Sequence, residues 1–251
     1  MDNFEMNRIF SKLGGEKFLK NYIGIFASDE FNMFEKLATG NMIKNISSPC
    51  AVLNTDVRAE EGTHWVSLIS LKNEDVVVVD SLGHLGFKNF FVDDDLVLLK
   101  EVLKKINDKE TKKLKDNGNV DLIKYTIDID SYKKFKNKNK LSSYCRGIIE
   151  LCISLSVKKD KKKSTTNFYY TTDQLQNKHT SFCGVYCLMF LICLYQNNTI
   201  DLKNISNTLN KLFVDVDNDI VDTKKNMNTK IVDRFAKRHK VKGFYFDPFK
   251  Q

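Results

Sequence analysis

Four valines in a row, Val76 to Val79, closed by Asp80, form the most restrictive feature of this sequence. A strand that is apolar at every position offers no face to water. It therefore belongs in the middle of a sheet, covered on both sides. Just upstream, His64 to Leu71 (HWVSLISL) reads as a partner strand, and Lys72-Asn73-Glu74-Asp75 reads as the polar connection. Cys50-Ala51-Val52-Leu53, after Pro49, reads as another short buried strand. Elsewhere the spacing is helical. Phe4, Ile9, Leu13, Phe18, Leu19, Tyr22 and Ile23 predict helix over residues 4–26, broken at Gly14-Gly15. Further helices are predicted over 31–44, over 91–106 with Leu96, Leu99, Leu103 and Ile106 on one stripe, and over 201–213 and 226–239. The stretch 182–196 is apolar nearly all round, so it predicts a buried helix that Thr180 or Ser181 can cap. A helical start, a strand core and a helical end give one α+β domain over residues 1–251.

Charge is distributed unevenly. The chain of 251 residues carries 40 Lys and Arg against 32 Asp and Glu, a net charge of +8. Between Lys100 and Lys163 there are 18 Lys and one Arg against nine acidic residues, so this segment alone carries +10. Its two densest stretches are KKFKNKNK at 133–140 and KKDKKK at 158–163. They read either as solvated loops around a hairpin or strand, or as a face for a polyanion such as DNA. Lysine is a mobile point charge, so DNA contact there would be backbone-directed and non-specific. The first six residues lack the basic and apolar regions of a signal peptide. The longest apolar run, Val185 to Tyr195, has 11 residues, short of the roughly 18 that a membrane span needs. The expectation is a monomer away from membranes, with its six cysteines reduced.

No glycine-rich phosphate loop and no G-x-S-x-G are present, which disfavours nucleotide binding and serine hydrolysis. Cysteine, histidine and carboxylate remain. Cys183 stands in S-F-C-G-V-Y-C at the start of the predicted buried helix, where free N–H groups and the helix dipole favour a thiolate. Gly184 next to it allows a substrate to approach the backbone closely. The bland alternative is a core cysteine like Cys187 and Cys193. His64 is the preferred base, since His179 precedes the helix start, His84 sits in a loop and His239 on a basic stretch. Asp80, at the end of an all-valine strand, needs a polar partner. An odd loop such as 71–73 would place His64 directly opposite Asp80, within hydrogen-bond range. Gln176, seven residues before Cys183, can donate to an oxyanion, with the Cys183 N–H as second donor; Gln174 is a weaker alternative. Trp65 would pack beside His64 and limit water access. No C-x-x-C pair exists, so no metal site is expected.

The order His64-Trp65, Asp80-Ser81-Leu82-Gly83 and Gln176 through Cys183-Gly184 resembles the adenovirus endopeptidase (adenain) group and the related SUMO-specific proteases. Cys50 to Thr55, and the start with Leu13-Gly14, Phe18-Leu19 and Tyr22, are similar to adenain in particular. The resemblance covers about residues 5–90 and 174–196. It implies a papain-related fold, a central mixed sheet with a buried helix carrying the nucleophile. Cys183, His64 and Asp80 would be catalytic, with Gln176 in the oxyanion hole and Trp65 and Gly184 at the substrate. It further implies a viral thiol protease that cleaves capsid or core precursors near glycines during virion maturation. It would act in the virion and the virus factory, with no cofactor needed for the chemistry and with activation by a viral peptide and by DNA. Two departures stand out. The lysine-rich stretch at about 100–165 reads as an insertion. The carboxylate is Asp, as in the SUMO-protease branch, where adenain has Glu. A SUMO or ubiquitin-like deconjugase and a non-enzymatic DNA-binding protein on the same scaffold are the rival expectations.

Overall fold

A computed structural model describes residues 3–30, 32–33, 36, 48–59, 64–73, 75–83, 103–105, 122–136, 143–159, 163–171, 175, 183–214 and 235. The described strands are β1 (Tyr22–Phe26), β2 (Cys50–Asn54), β3 (Trp65–Ser70), β4 (Val76–Val79), β5 (Leu103–Lys105), β6 (Leu122–Asp128) and β7 (Thr165–Thr171). They form one mixed sheet in the order β1-β2-β3-β4-β7-β6-β5. β1 runs parallel to β2 and β4 parallel to β7, while the other neighbours are antiparallel. The helices are α1 (Asn3–Leu13), α2 (Gly15–Asn21), α3 (Ile129–Lys136), α4 (Ser143–Lys159), α5 (Cys183–Leu194) and α6 (Leu202–Leu209), the last running into a π-helical turn over Asn210–Val214.

Strand alternation sorts the core into two layers. Val77 and Val79 join Cys50, Val52 and Ile69 against α5, α6, Met6 and Phe10 of α1, and Phe18 of α2. Val76 and Val78 join Ala51, Leu53, Val66, Leu68 and Tyr170 against α4 and Tyr132 of α3. All four valines are buried, so β4 is the covered central strand that its composition requires. Each such side chain contributes about 1.5–3 kcal/mol of gross transfer free energy. α5 lies in the first layer with 11 of its 12 residues buried, as its uniform apolarity predicts. The fold is thus a mixed sheet between helical layers, an α+β arrangement.

Several expectations need correction. Helical spacing does not continue through residues 22–26, because Tyr22–Phe26 pairs with Cys50–Leu53 as a parallel edge strand. Gly24 there takes φ +143°, a value open to glycine and foreign to a helix. Leu103–Lys105 is strand β5, not helix, since its backbone pairs with Tyr125–Ile127. The basic segment is more than loops around a hairpin. It contributes two strands at one side of the sheet and the 17-residue α4, whose Tyr144, Cys145, Ile148, Ile149 and Cys152 face the core. The predicted helices over 31–44 and 226–239, and the remainder of 91–106, lie almost wholly outside the described residues. Among the described residues no helix is long and apolar enough to cross a membrane.

Candidate active site

β3 and β4 run antiparallel, so the start of β3 and the end of β4 share one edge of the sheet. The ends of β2 and of β7 reach the same edge. The last pair before the β3–β4 connection is Ser70 with Val76, which leaves an odd, five-residue link, Leu71 to Asp75. The parity matches the expectation, but the register is offset by one pair. Ser67 lies opposite Val79, so Asp80 falls opposite Val66 and His64 is its diagonal neighbour on the same face. Diagonal neighbours are within reach of longer side chains. His64 Nε2 and Asp80 Oδ1 are 2.8 Å apart.

Both partners are fixed from behind. The His64 carbonyl accepts from the Thr55 N–H at 3.0 Å and from Thr55 Oγ1 at 3.3 Å, which ties it to the loop after β2. Asp80 opens a tight turn in which the Gly83 N–H donates to the Asp80 carbonyl at 3.1 Å and the Leu82 N–H donates to Asp80 Oδ1 at 2.8 Å. Gly83 supplies the φ of +55° in this turn. Thr171, at the end of β7, brackets the Asp80 backbone: its Oγ1 accepts from the Asp80 N–H and donates to the Asp80 carbonyl, each at 2.8 Å. The neighbouring Tyr170 hydroxyl donates to Asp80 Oδ2. This explains how a carboxylate with no exposure persists beyond four valines.

Cys183 is the first residue of α5, so its side chain sits at the positive end of the helix. It lies beside the His64 ring, close enough for the thiol to act on the imidazole by hydrogen bonding and by charge. Cys183 is 2% exposed and His64 3% exposed. Burial works against a charged imidazole here, but the charge and hydrogen bond of Asp80, together with Cys183, overcome it and push His64 up to about 10. The ring therefore favours its protonated form at neutral pH. All six cysteines are free thiols. Burial pushes Cys50 up to about 12, and it also raises Cys152 and Cys187. These three behave as core side chains, whereas Cys183 alone has an imidazole at a helix start.

Trp65 opens β3 opposite Asn54 and packs, partly buried, against the layer that holds α5. Gly184 faces α1, where a Cβ would come 2.8 Å from Met6 Cε, the movable end of a flexible side chain. A small cavity, with room for about one water, lies between Ser67, Val79, Ser81, Leu175, Tyr186, Cys187 and Phe190. The Leu175 N–H donates to the Ser81 carbonyl at 2.8 Å, which ties the segment after β7 to the Asp80 turn. Gln176, Gln174 and His179 lie outside the described residues, as do Thr180, Ser181, His84 and His239. Sequence reasoning gave no part to Tyr170, Thr171 or Thr55. The signal for the first two was the β-favouring run Thr165, Thr166, Phe168, Tyr169, Tyr170, Thr171. Among the described residues no group of three His, Cys, Asp or Glu side chains is placed to hold a metal. The arrangement offers a sulfur nucleophile, a proton carrier and a carboxylate that orients the carrier. In comparisons with known proteins, no family model matches the chain and no curated relative was found.

Proposed function

We propose that this chain is a cysteine endopeptidase with a papain-related, adenain-like fold. The observation that carries the reading is the chain of contacts Cys183, His64, Asp80 at one sheet edge, with His64 pushed toward its protonated form. Cys183 attacks the scissile carbonyl as a thiolate while His64 holds the proton. His64 then passes that proton to the leaving amine, and a water deprotonated by the same ring releases the acyl group. Asp80 orients the imidazole throughout. The Cys183 N–H, at the first turn of α5, is one oxyanion donor and Gln176 the second. Trp65 and Gly184 line the approach of a glycine-containing substrate. The chemistry needs no metal or cofactor.

The resemblance of His64-Trp65, Asp80-Ser81-Leu82-Gly83 and Gln176 to Cys183-Gly184 supports a viral maturation protease that cuts capsid or core precursors in the virion and virus factory. On this reading it works as a monomer, and a viral peptide and DNA, the latter held by the basic segment, raise its activity. The Asp at position 80 favours a second reading, a SUMO or ubiquitin-like deconjugase using the same residues. The test is Cys183→Ala. Cleavage of Gly-containing peptides should fall to background with the folded state retained, and residual cleavage by this variant would overturn the proposal. Labelling by a Gly-Gly-ended ubiquitin-like probe, with viral precursor peptides left intact, would move the assignment to the second reading. Iodoacetamide reacting with Cys183 no faster than with a free thiol would favour a DNA-binding protein on this scaffold.

A further inference from the structure

Asp80 has two carboxylate oxygens, and they serve different partners. Oδ1 takes the His64 ring and the Leu82 N–H, each at 2.8 Å. Oδ2 takes the Tyr170 hydroxyl. The carboxylate is wholly buried, so a lost donor at Oδ2 is not replaced by bulk water. Tyr170 is also buried, near the end of a strand parallel to β4 and bonded to it. Its ring is packed among Val78, Phe168 and the α4 side chains, and Tyr144 of α4 stands next to its hydroxyl. With Tyr144 as a neighbour, the Tyr170 phenol donates to the carboxylate.

We propose that Tyr170 is a positioning residue for the His64–Asp80 pair: its hydroxyl fixes which carboxylate oxygen faces the imidazole and sets how tightly the pair holds its proton. This deepens the protease reading and rests on it for the catalytic consequence, but not for the electrostatic one. Burial, the charge of Asp80 and the neighbouring Tyr144 push the phenol far above its ordinary range, so it remains a donor over the whole working pH. A carboxylate that accepts one hydrogen bond fewer is the stronger base. Without Tyr170 the pair should bind its proton more tightly and leave the imidazole less free to exchange it with the sulfur.

The experiment uses the full chain with Tyr170→Phe, which keeps the ring and removes one oxygen. The titration of His64 is followed by NMR, and alkylation of Cys183 by iodoacetamide is followed against pH. The expected result is an upward move of the alkaline midpoint by about half a unit or more, with kcat/KM on a Gly-containing peptide down tenfold or more. A stability loss with an unmoved midpoint would reduce Tyr170 to a packing residue and overturn the proposal. Should the phenylalanine variant fail to fold, 3-fluorotyrosine at position 170 keeps the shape and strengthens the donor. It should move the midpoint downward, and no movement would again overturn the proposal. A Cys183 no more reactive than a free thiol in the unmodified protein would sink the protease reading, while the His64 titration would still decide on Tyr170.

Discussion

β4 carries a buried aspartate at each end, and the two ends do different things. At its start, Asp75 is met by amides: Asn73 Nδ2 donates to Oδ2 at 2.8 Å and Asn167 Nδ2 donates to Oδ1 at 3.2 Å. Asn167 is itself held by Thr126 Oγ1 at 2.9 Å. At its end, Asp80 is met by an imidazole and a phenol. Both aspartates are buried, at 6% and 0% exposure, at opposite ends of the same four valines. Burial forces each to find donors but leaves open which kind. Neutral amides neither gain nor lose a proton, so the Asp75 end is a clasp. A titratable ring turns the other end into a device that can move a proton.

The largest contrast should come from the matched pair Asp80→Asn and Asp75→Asn. On the protease reading, the first should lower kcat/KM by about 10²-fold or more, because an amide in place of the carboxylate no longer stabilises the imidazolium or fixes its orientation. The second should leave peptide cleavage within a few-fold and instead cost about 1–3 kcal/mol in urea unfolding. Equal losses of activity at both positions would erase the distinction between the ends.

Next in size is the pH dependence of stability. His64 is pushed from its ordinary 6.5 to about 10 in the folded chain. Between those values the folded state binds a proton that the unfolded state does not. The stabilisation is therefore complete below about pH 6.5 and is lost as pH rises through about 10. Urea unfolding between pH 6 and 10 should show stability falling with pH, and His64→Gln should flatten that slope. The Asp75→Asn variant should keep the slope, since among the described residues no imidazole faces that end. The smallest effect belongs to Asn167→Ala, which removes one neutral donor from Asp75. A loss of about 1 kcal/mol with unchanged alkylation of Cys183 is expected, and a change in alkylation rate would mean that the two ends communicate along β4.

Much of this was legible from residues whose environment is dictated locally. The valine run can only be central, and the all-apolar stretch after Ser181 can only be a buried helix. Asp80 needed a polar partner, and His64 was within one register step of it. What could not be read was non-local. Tyr22 to Phe26 carries apolar residues at spacings a helix would accept, and its pairing with β2 decides against the helix. Leu103 sits on a plausible helical stripe, but its backbone is claimed by β6. Thr171 and Tyr170 reach Asp80 from about 90 residues away, joined by a parallel pairing that no local pattern announces. The one-pair offset between β3 and β4 follows from a link of five residues where three had served as the example.

The parallel pairing of Val76–Val78 with Phe168–Tyr170 has a consequence for the newborn chain. A ribosome delivers the valines long before their second neighbour. Until residue 170 emerges, one of the stickiest backbone edges in the protein is bare, an invitation for another copy to dock there. The stretch that must be synthesised in the meantime is the most cationic of all, +10 between residues 100 and 163. Like charge carried beside an open edge opposes pairing between two such edges. The same order of synthesis delivers the sulfur of residue 183 last, after the imidazole of residue 64 and the carboxylate of residue 80.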